Sequence, residues 1–171
     1  MKINGYNALG FALSGIEKDQ DFMRRLFGTS FKKRSSIRAW LTNPSIRAAF
    51  LMRLSSWGGV IGIIARQRLI SNFSCDVTPG AQIRGALYLP HPVGIVIGSG
   101  TNLVGSISIY QGVTIGSNKN GSYPTVHEGV RIFPNALVIG NVTLHADSTV
   151  GAGAFVSRDV AERGLARNSE T

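Results

Sequence analysis

The chain has 171 residues, 43% of them hydrophobic, which suits one domain with a real core plus an appendage rather than two full domains. Its net charge of +9, from 18 Lys and Arg against 9 Asp and Glu, favours a polyanionic partner: nucleic acid, an anionic membrane face or a phosphorylated cofactor. The single Cys75 excludes an internal disulfide, and the longest apolar stretch, residues 57–65, falls far short of the roughly 20 residues that span a bilayer.

Residues 1–72 read as a helical region. The first 22 residues carry an apolar patch followed closely by acidic residues, without the charge order or cleavage site of a signal peptide. Together with one cysteine, this reads as a cytoplasmic protein. Basic residues crowd into 24–68, among them Arg24, Arg25, Arg38, Arg53 and Arg66. Over 45–57, Ile46, Ala49, Phe50, Arg53, Leu54 and Trp57 fall near 3.6-residue spacing after Asn43-Pro44, a helix start. The pattern predicts an amphipathic helix with a basic outer face, either solvated or in peripheral contact with an anionic membrane at its inner face. No recognised motif or aromatic-basic platform accompanies the charge, so nucleic acid is not an expected partner.

From about residue 73 the period changes. Steps of six give Val77, Ile83, Leu89, Ile95, Thr101, Ile107 and Val113, aliphatic but for Thr101; a second run gives Val126, Ile132, Val138, Leu144, Val150 and Val156. The step from Val113 to Val126 is thirteen, one more than two hexads, so an extra residue is expected in the polar loop 117–125. A period of six fits short strands between turns, each with one inward aliphatic residue, three of them closing a triangular coil of 18 residues. The expected β domain covers 73–160, and 161–171 reads as a tail.

At this point "CDVTPGAQI", "HPVGIVIG", "SIYQGVTIG", "HEGVRIFPNALVIGNV" and "STVGAGAFV", in that order, resemble the hexapeptide-repeat acyltransferases. The likeness covers roughly residues 45–160. It is strongest to the serine acetyltransferase group and its relatives acting on capsular and exopolysaccharides, including the colanic-acid type. The resemblance implies a mainly β fold, a left-handed parallel β-helix behind N-terminal helices. It also implies a homotrimer and acetyl-CoA as acyl donor. The group's catalytic pair, an Asp and a His fifteen residues apart, matches Asp76 and His91. Such a carboxylate would fix the imidazole tautomer while the other ring nitrogen takes a proton from an acceptor hydroxyl. The matching acyl-donor positions are Gly116, Ala136, Gly153 and Ala154, with Lys119, Arg131 and Arg158 as cations for its phosphates. Pro90, Gln111 and Tyr123 match the acceptor side.

Two departures bear on the acceptor. Serine acetyltransferases carry Arg-His-Pro where this chain has Ser122-Tyr123-Pro124, and an Asp where it has Pro90. Both charged handles for an amino-acid zwitterion are missing there. The expectation is therefore a saccharide, small or lipid-linked, with Tyr123 stacking on a sugar ring; serine is the alternative, and a non-catalytic scaffold the alternative of another class. The segment "AERGLARNSET" also departs from the group's usual C-terminal turn. His91, His127 and His145 raise a zinc site, but the close His pair of β-helical carbonic anhydrases is lacking, so no metal is expected. His127 and His145, 18 residues apart, should stack on adjacent coils as a surface ladder.

Overall fold

A computed structural model describes residues 7–167. Four α-helices come first: α1 (Ala8–Phe27), α2 (Ser36–Thr42), α3 (Pro44–Trp57) and α4 (Gly59–Phe73). Asn43 caps α3 as expected, its side chain accepting from the N–H groups of Ser45 (3.0 Å) and Ile46 (3.4 Å) ahead of Pro44 at the first helical position.

Fourteen short strands follow among the described residues, β1 (Asp76–Val77) to β14 (Leu165–Ala166). They wind into three parallel sheets: β1-β4-β7-β10-β13 forms the first, β2-β5-β8-β11 the second and β3-β6-β9-β12-β14 the third. This is a parallel β-helix of about five turns. Strand pairing continues to Ala166, inside the segment read as a tail.

Every residue of both hexad runs lies in the core; Val77, Ile95, Ile107, Val113, Val138 and Leu144 have no exposed surface. The registers refine the spacing. Val96 pairs with Thr114, 18 residues on, and Leu137 with Phe155, again 18. Asp76, however, pairs with Val96, a step of 20, and Thr114 with Leu137, a step of 23. The first coil carries two extra residues between Tyr88 and Val96, around His91. The loop after β7 (Thr114–Gly116) carries five, not the one expected. Both insertions are hidden in the hexad count because two positions per strand point inward, two residues apart. Ile95 and Ile97 are both fully buried, as are Val113 and Ile115, so a run of hexads passes from one inward position to the other without leaving the core.

The helices close the open end of this solenoid, where β1, β2 (Gln82–Ile83) and β3 (Leu87–Tyr88) are edge strands. Ser55 Oγ donates to Val77 O (2.5 Å), Leu89 N–H donates to Ser45 Oγ (3.0 Å) and Gly80 N–H donates to Ser56 O (2.9 Å). Asp19 accepts from Leu87 N–H (2.7 Å) and takes both forks of Arg53 (2.8 and 2.7 Å), while Arg53 Nη2 reaches Gly85 O (2.9 Å). This corrects the expected basic outer face of α3: Arg53 is 1% exposed and Asp19 fully buried. α3 is buried on nearly every side, packed by α1 and α4 and lying over the first coil, so the cation sits where a carboxylate and a strand carbonyl need it. Gly15 allows that approach, since a Cβ there would lie 2.6 Å from the Arg53 guanidinium.

Candidate functional site

The corner between the third and first sheets is built from a column of residues in the left-handed region: Gly94 (φ 68°), Gly112 (φ 69°), Asn135 (φ 60°) and Gly153 (φ 66°). Gly94 donates its N–H to Phe73 O at the end of α4 (3.2 Å), and the others donate to the coil above, to Val93 O (2.9 Å), Gln111 O (2.9 Å) and Pro134 O (2.8 Å) in turn. His91 sits at the top of this column, in the two-residue expansion. Its carbonyl accepts from Val93 N–H at 2.8 Å, a three-residue turn with Pro92 at its centre. That turn needs a φ near the value the pyrrolidine ring imposes, which explains the proline. Pro92 is buried and His91 is exposed.

Below His91 opens a shallow groove of about 480 Å³, lined by His91, Val93, Gly94, Gln111, Gly112 and Asn135. The Asn135 amide lies across Gly112, where a Cβ would come within 2.1 Å of its Oδ1. Gln111 Oε1 is buried without a hydrogen-bond partner among the described residues. The His91 ring has no hydrogen-bonded partner among them either, which leaves both nitrogens available to a ligand.

Asp76 faces outward from β1. Arg66 on α4 grips it as a fork, Nε to Oδ1 at 2.6 Å and Nη2 to Oδ2 at 2.8 Å. The hydrogen bond from Arg66 holds the Asp76 carboxyl below its ordinary range. Asp76 and His91 share no hydrogen bond in the chain. Neighbouring Cys75 is buried, and burial pushes its thiol up; Ile95 N–H donates to its sulfur at 3.3 Å. It is a packing residue rather than a nucleophile.

The other residues singled out in the sequence fall into two groups. Pro90, Gln111, Ala136, Gly153 and Ala154 share the His91 corner. Ala136 and Ala154 point into the core, and their carbonyls accept from Thr114 N–H (3.0 Å) and Leu137 N–H (2.8 Å). Gly116, Lys119, Tyr123 and Arg158 gather at the corner between the first and second sheets, where Gly116 O accepts from Gly140 N–H (3.0 Å). Lys119 and Arg158 are exposed. Arg131 stands apart on β9 (Arg131–Ile132), donating to Thr149 Oγ1 at 3.4 Å. The Tyr123 ring is packed on the Gly98–Gly100 turn; a Cβ on Gly100 would lie 2.2 Å from it. Its hydroxyl accepts from Ser99 Oγ (3.1 Å), and hydrogen bonds from Ser99 and Ser117 lower its pKa. His127 and His145 stack face to face, centroids 5.9 Å apart and planes 2° from parallel, as their spacing predicts. Among the described residues no three His, Cys, Asp or Glu side chains cluster as metal ligands, and no helix is long and apolar enough to cross a membrane. Sequence reasoning missed Arg66 and Asn135. The only signal for Asn135 was its place one coil below Gly112.

Three parallel sheets wound from six-residue repeats, capped by helices, make this a hexapeptide-repeat β-helix. No family model matches the chain. It is similar to the serine acetyltransferase of Synechococcus elongatus, 31% identical over 146 residues, covering 80% of this chain and 59% of that protein. It is also similar to that of Buchnera aphidicola, 36% identical over 104 residues, covering 58% of this chain and 38% of that protein. In structure it matches a serine acetyltransferase in complex with CoA with a TM-score of 0.78 at 23% identity, covering 94% of this chain and 68% of that one. The chain thus spans about two-fifths to three-fifths of the curated relatives it matches.

These relatives overturn the saccharide acceptor expected from the sequence, and with it a role in polysaccharide assembly. The structure supplies the physical reason. The Tyr123 ring expected to stack on a sugar already packs on Gly98 and Gly100. Missing charges at positions 90 and 122 describe only those two positions.

Proposed function

We propose that the chain is an acetyl-CoA-dependent serine O-acetyltransferase that works as a homotrimer, with His91 as general base. The observation that carries this reading is the exposed imidazole, held by a proline turn over a groove, in a β-helix whose relatives are serine acetyltransferases. Acetyl-CoA supplies a thioester carbonyl open to attack. His91 takes the proton from the serine hydroxyl as its oxygen bonds to that carbonyl carbon. It then returns the proton to the departing thiolate sulfur as the C–S bond breaks, leaving O-acetylserine and CoA. The amides of Gln111 and Asn135 line the groove and can donate to the carbonyl oxygen as it gains charge. Val93, Val96 and Leu137, exposed on the same side, support a subunit contact beside the groove.

The test is CoA release, read with a thiol reagent, with and without L-serine. Serine-dependent release that falls by about 10²–10⁴ in His91→Ala is expected. Absence of any serine-dependent release by the folded protein overturns the serine reading, and unchanged turnover in His91→Ala removes the base.

A further inference from the structure

A second cleft, of about 600 Å³, lies between α1 and the corner joining the second and third sheets, away from the His91 corner. Lys18, Arg24 and Arg25 of α1 face Arg84 and Ser106 of the first two coils across it. All four cations are exposed, and none has a carboxylate partner among the described residues. The lining contains one acid, Asp21, which is already paired with Lys33 at 3.0 Å. The nearby Glu128 carboxylate accepts the Ser106 backbone N–H at 2.7 Å.

Two other arginines show the contrast. Arg53 and Arg66 each hold a carboxylate through two nitrogens. Arg25 and Arg84 are instead oriented by neutral partners. Arg25 lies over the Phe22 ring, 5.7 Å from its centroid, and donates to Ser106 Oγ at 3.4 Å; Arg84 donates to Gln82 Oε1. Four like charges around one concavity repel one another, and an anion bound among them removes that cost. Two guanidinium groups held in place from opposite walls present forks suited to phosphate oxygens.

We infer that this cleft binds a phosphate-bearing anion, separately from the acyl-transfer groove. The inference does not rest on the acetyltransferase reading, and its test needs no turnover. Titration of the protein with inorganic pyrophosphate in low salt, followed by calorimetry, is expected to show one saturable site per chain. The double variant Arg25→Gln/Arg84→Gln is expected to bind at least about tenfold more weakly, with the lysine pair Arg25→Lys/Arg84→Lys in between because charge remains while the forks are lost. Arg38→Gln/Arg68→Gln, which removes the same charge elsewhere, should leave affinity within about twofold. Unaltered thermal melting of the glutamine variant shows that it is folded. No saturable binding by the unmodified chain, or equal losses in both double variants, overturns the site. Parallel pelleting with phosphatidylglycerol and phosphatidylcholine vesicles identifies the source. Arg25- and Arg84-dependent pelleting with the anionic lipid alone assigns the phosphate to a lipid headgroup, and pyrophosphate binding without pelleting assigns it to a free phosphorylated molecule.

Discussion

Arg66 and Asp76 show how one contact can redefine a residue. An Asp placed fifteen residues before a His invites a carboxylate–imidazole pair, yet both Asp76 oxygens are engaged by the Arg66 fork. Two of roughly four lone-pair directions on that carboxylate remain, so Asp76 keeps capacity for a second donor while Arg66 fixes its orientation. The same contact sets its titration. The Asp76 carboxyl is depressed below its ordinary value, so the stabilisation it gives is present above the unfolded value near about 4 and is lost as pH falls through the folded value. Arg66→Gln is expected to return the Asp76 carboxyl toward the ordinary value, read by NMR titration. Both side chains are about a third exposed, 38% for Arg66 and 33% for Asp76, so the difference in unfolding free energy at neutral pH should not exceed about 1 kcal/mol. It should vanish in acid, where both proteins carry a protonated Asp76. A difference that persists unchanged below the Asp76 transition would assign Arg66 a packing role instead.

At the scale of the element, the turns decide the geometry. The His91 column depends on four left-handed residues, of which one, Asn135, has a side chain. Asn tolerates that region far better than most residues, and here its amide also spans the glycine above. Asn135→Gly should therefore preserve stability within a few tenths of a kcal/mol. Gly112→Ala should cost about 1–3 kcal/mol, since it combines a disfavoured φ with a Cβ placed 2.1 Å from Asn135 Oδ1. Urea unfolding of the two variants measures both; equal effects would contradict the column as described. Much of this element was readable beforehand. Every residue that the six-residue spacing picked out is buried, and the stacked His127–His145 pair followed from it; the second inward set, Ile97, Leu103, Ile109 and Ile115, was not picked out. The two-residue insertion around His91 was not legible, and the loop insertion was placed in 117–125 but read as one residue instead of five, because Ile95 and Ile97 satisfy the same core and keep the count running through a change of frame. The prolines beside His91 marked a corner, but nothing local to residues 90–92 records the groove that Gln111 and Asn135 complete from later coils. The acceptor was misjudged because it was argued from the absence of charge at two positions, 90 and 122, that lie at different corners of the β-helix.

The whole molecule is a solenoid sealed at one end by its own helices. An unpaired first coil would leave a row of strand N–H and C=O groups open to another chain. Ser45, Ser55, Asp19 and Arg53 satisfy that edge from inside the helical region. None of this could be read from helical periodicity, because polar residues at buried positions look like an outer face until their partners on the strands are known. The consequence is that the helices and the β-helix should unfold together. The buried Asp19–Arg53 pair is the strongest joint, and removing one member leaves the other charge buried without a counter-ion, at a cost of about 3–5 kcal/mol. Removing both costs less than the two single losses together, since no unpaired charge remains. Asp19→Ala and Arg53→Met should each lower the denaturation midpoint of the helical circular dichroism signal and of the Tyr110–Phe133 near-ultraviolet signal by the same amount. The double variant should recover part of the loss. Tyr110 and Phe133 stack 4.9 Å apart on the β-helix, and their contribution is taken as the difference from the Tyr110→Leu protein, since Trp40 and Trp57 of the helices also absorb in the near-ultraviolet. If the helical signal melted first while the aromatic signal held its original midpoint, the helices would be an independent unit resting on the coil rather than its cap.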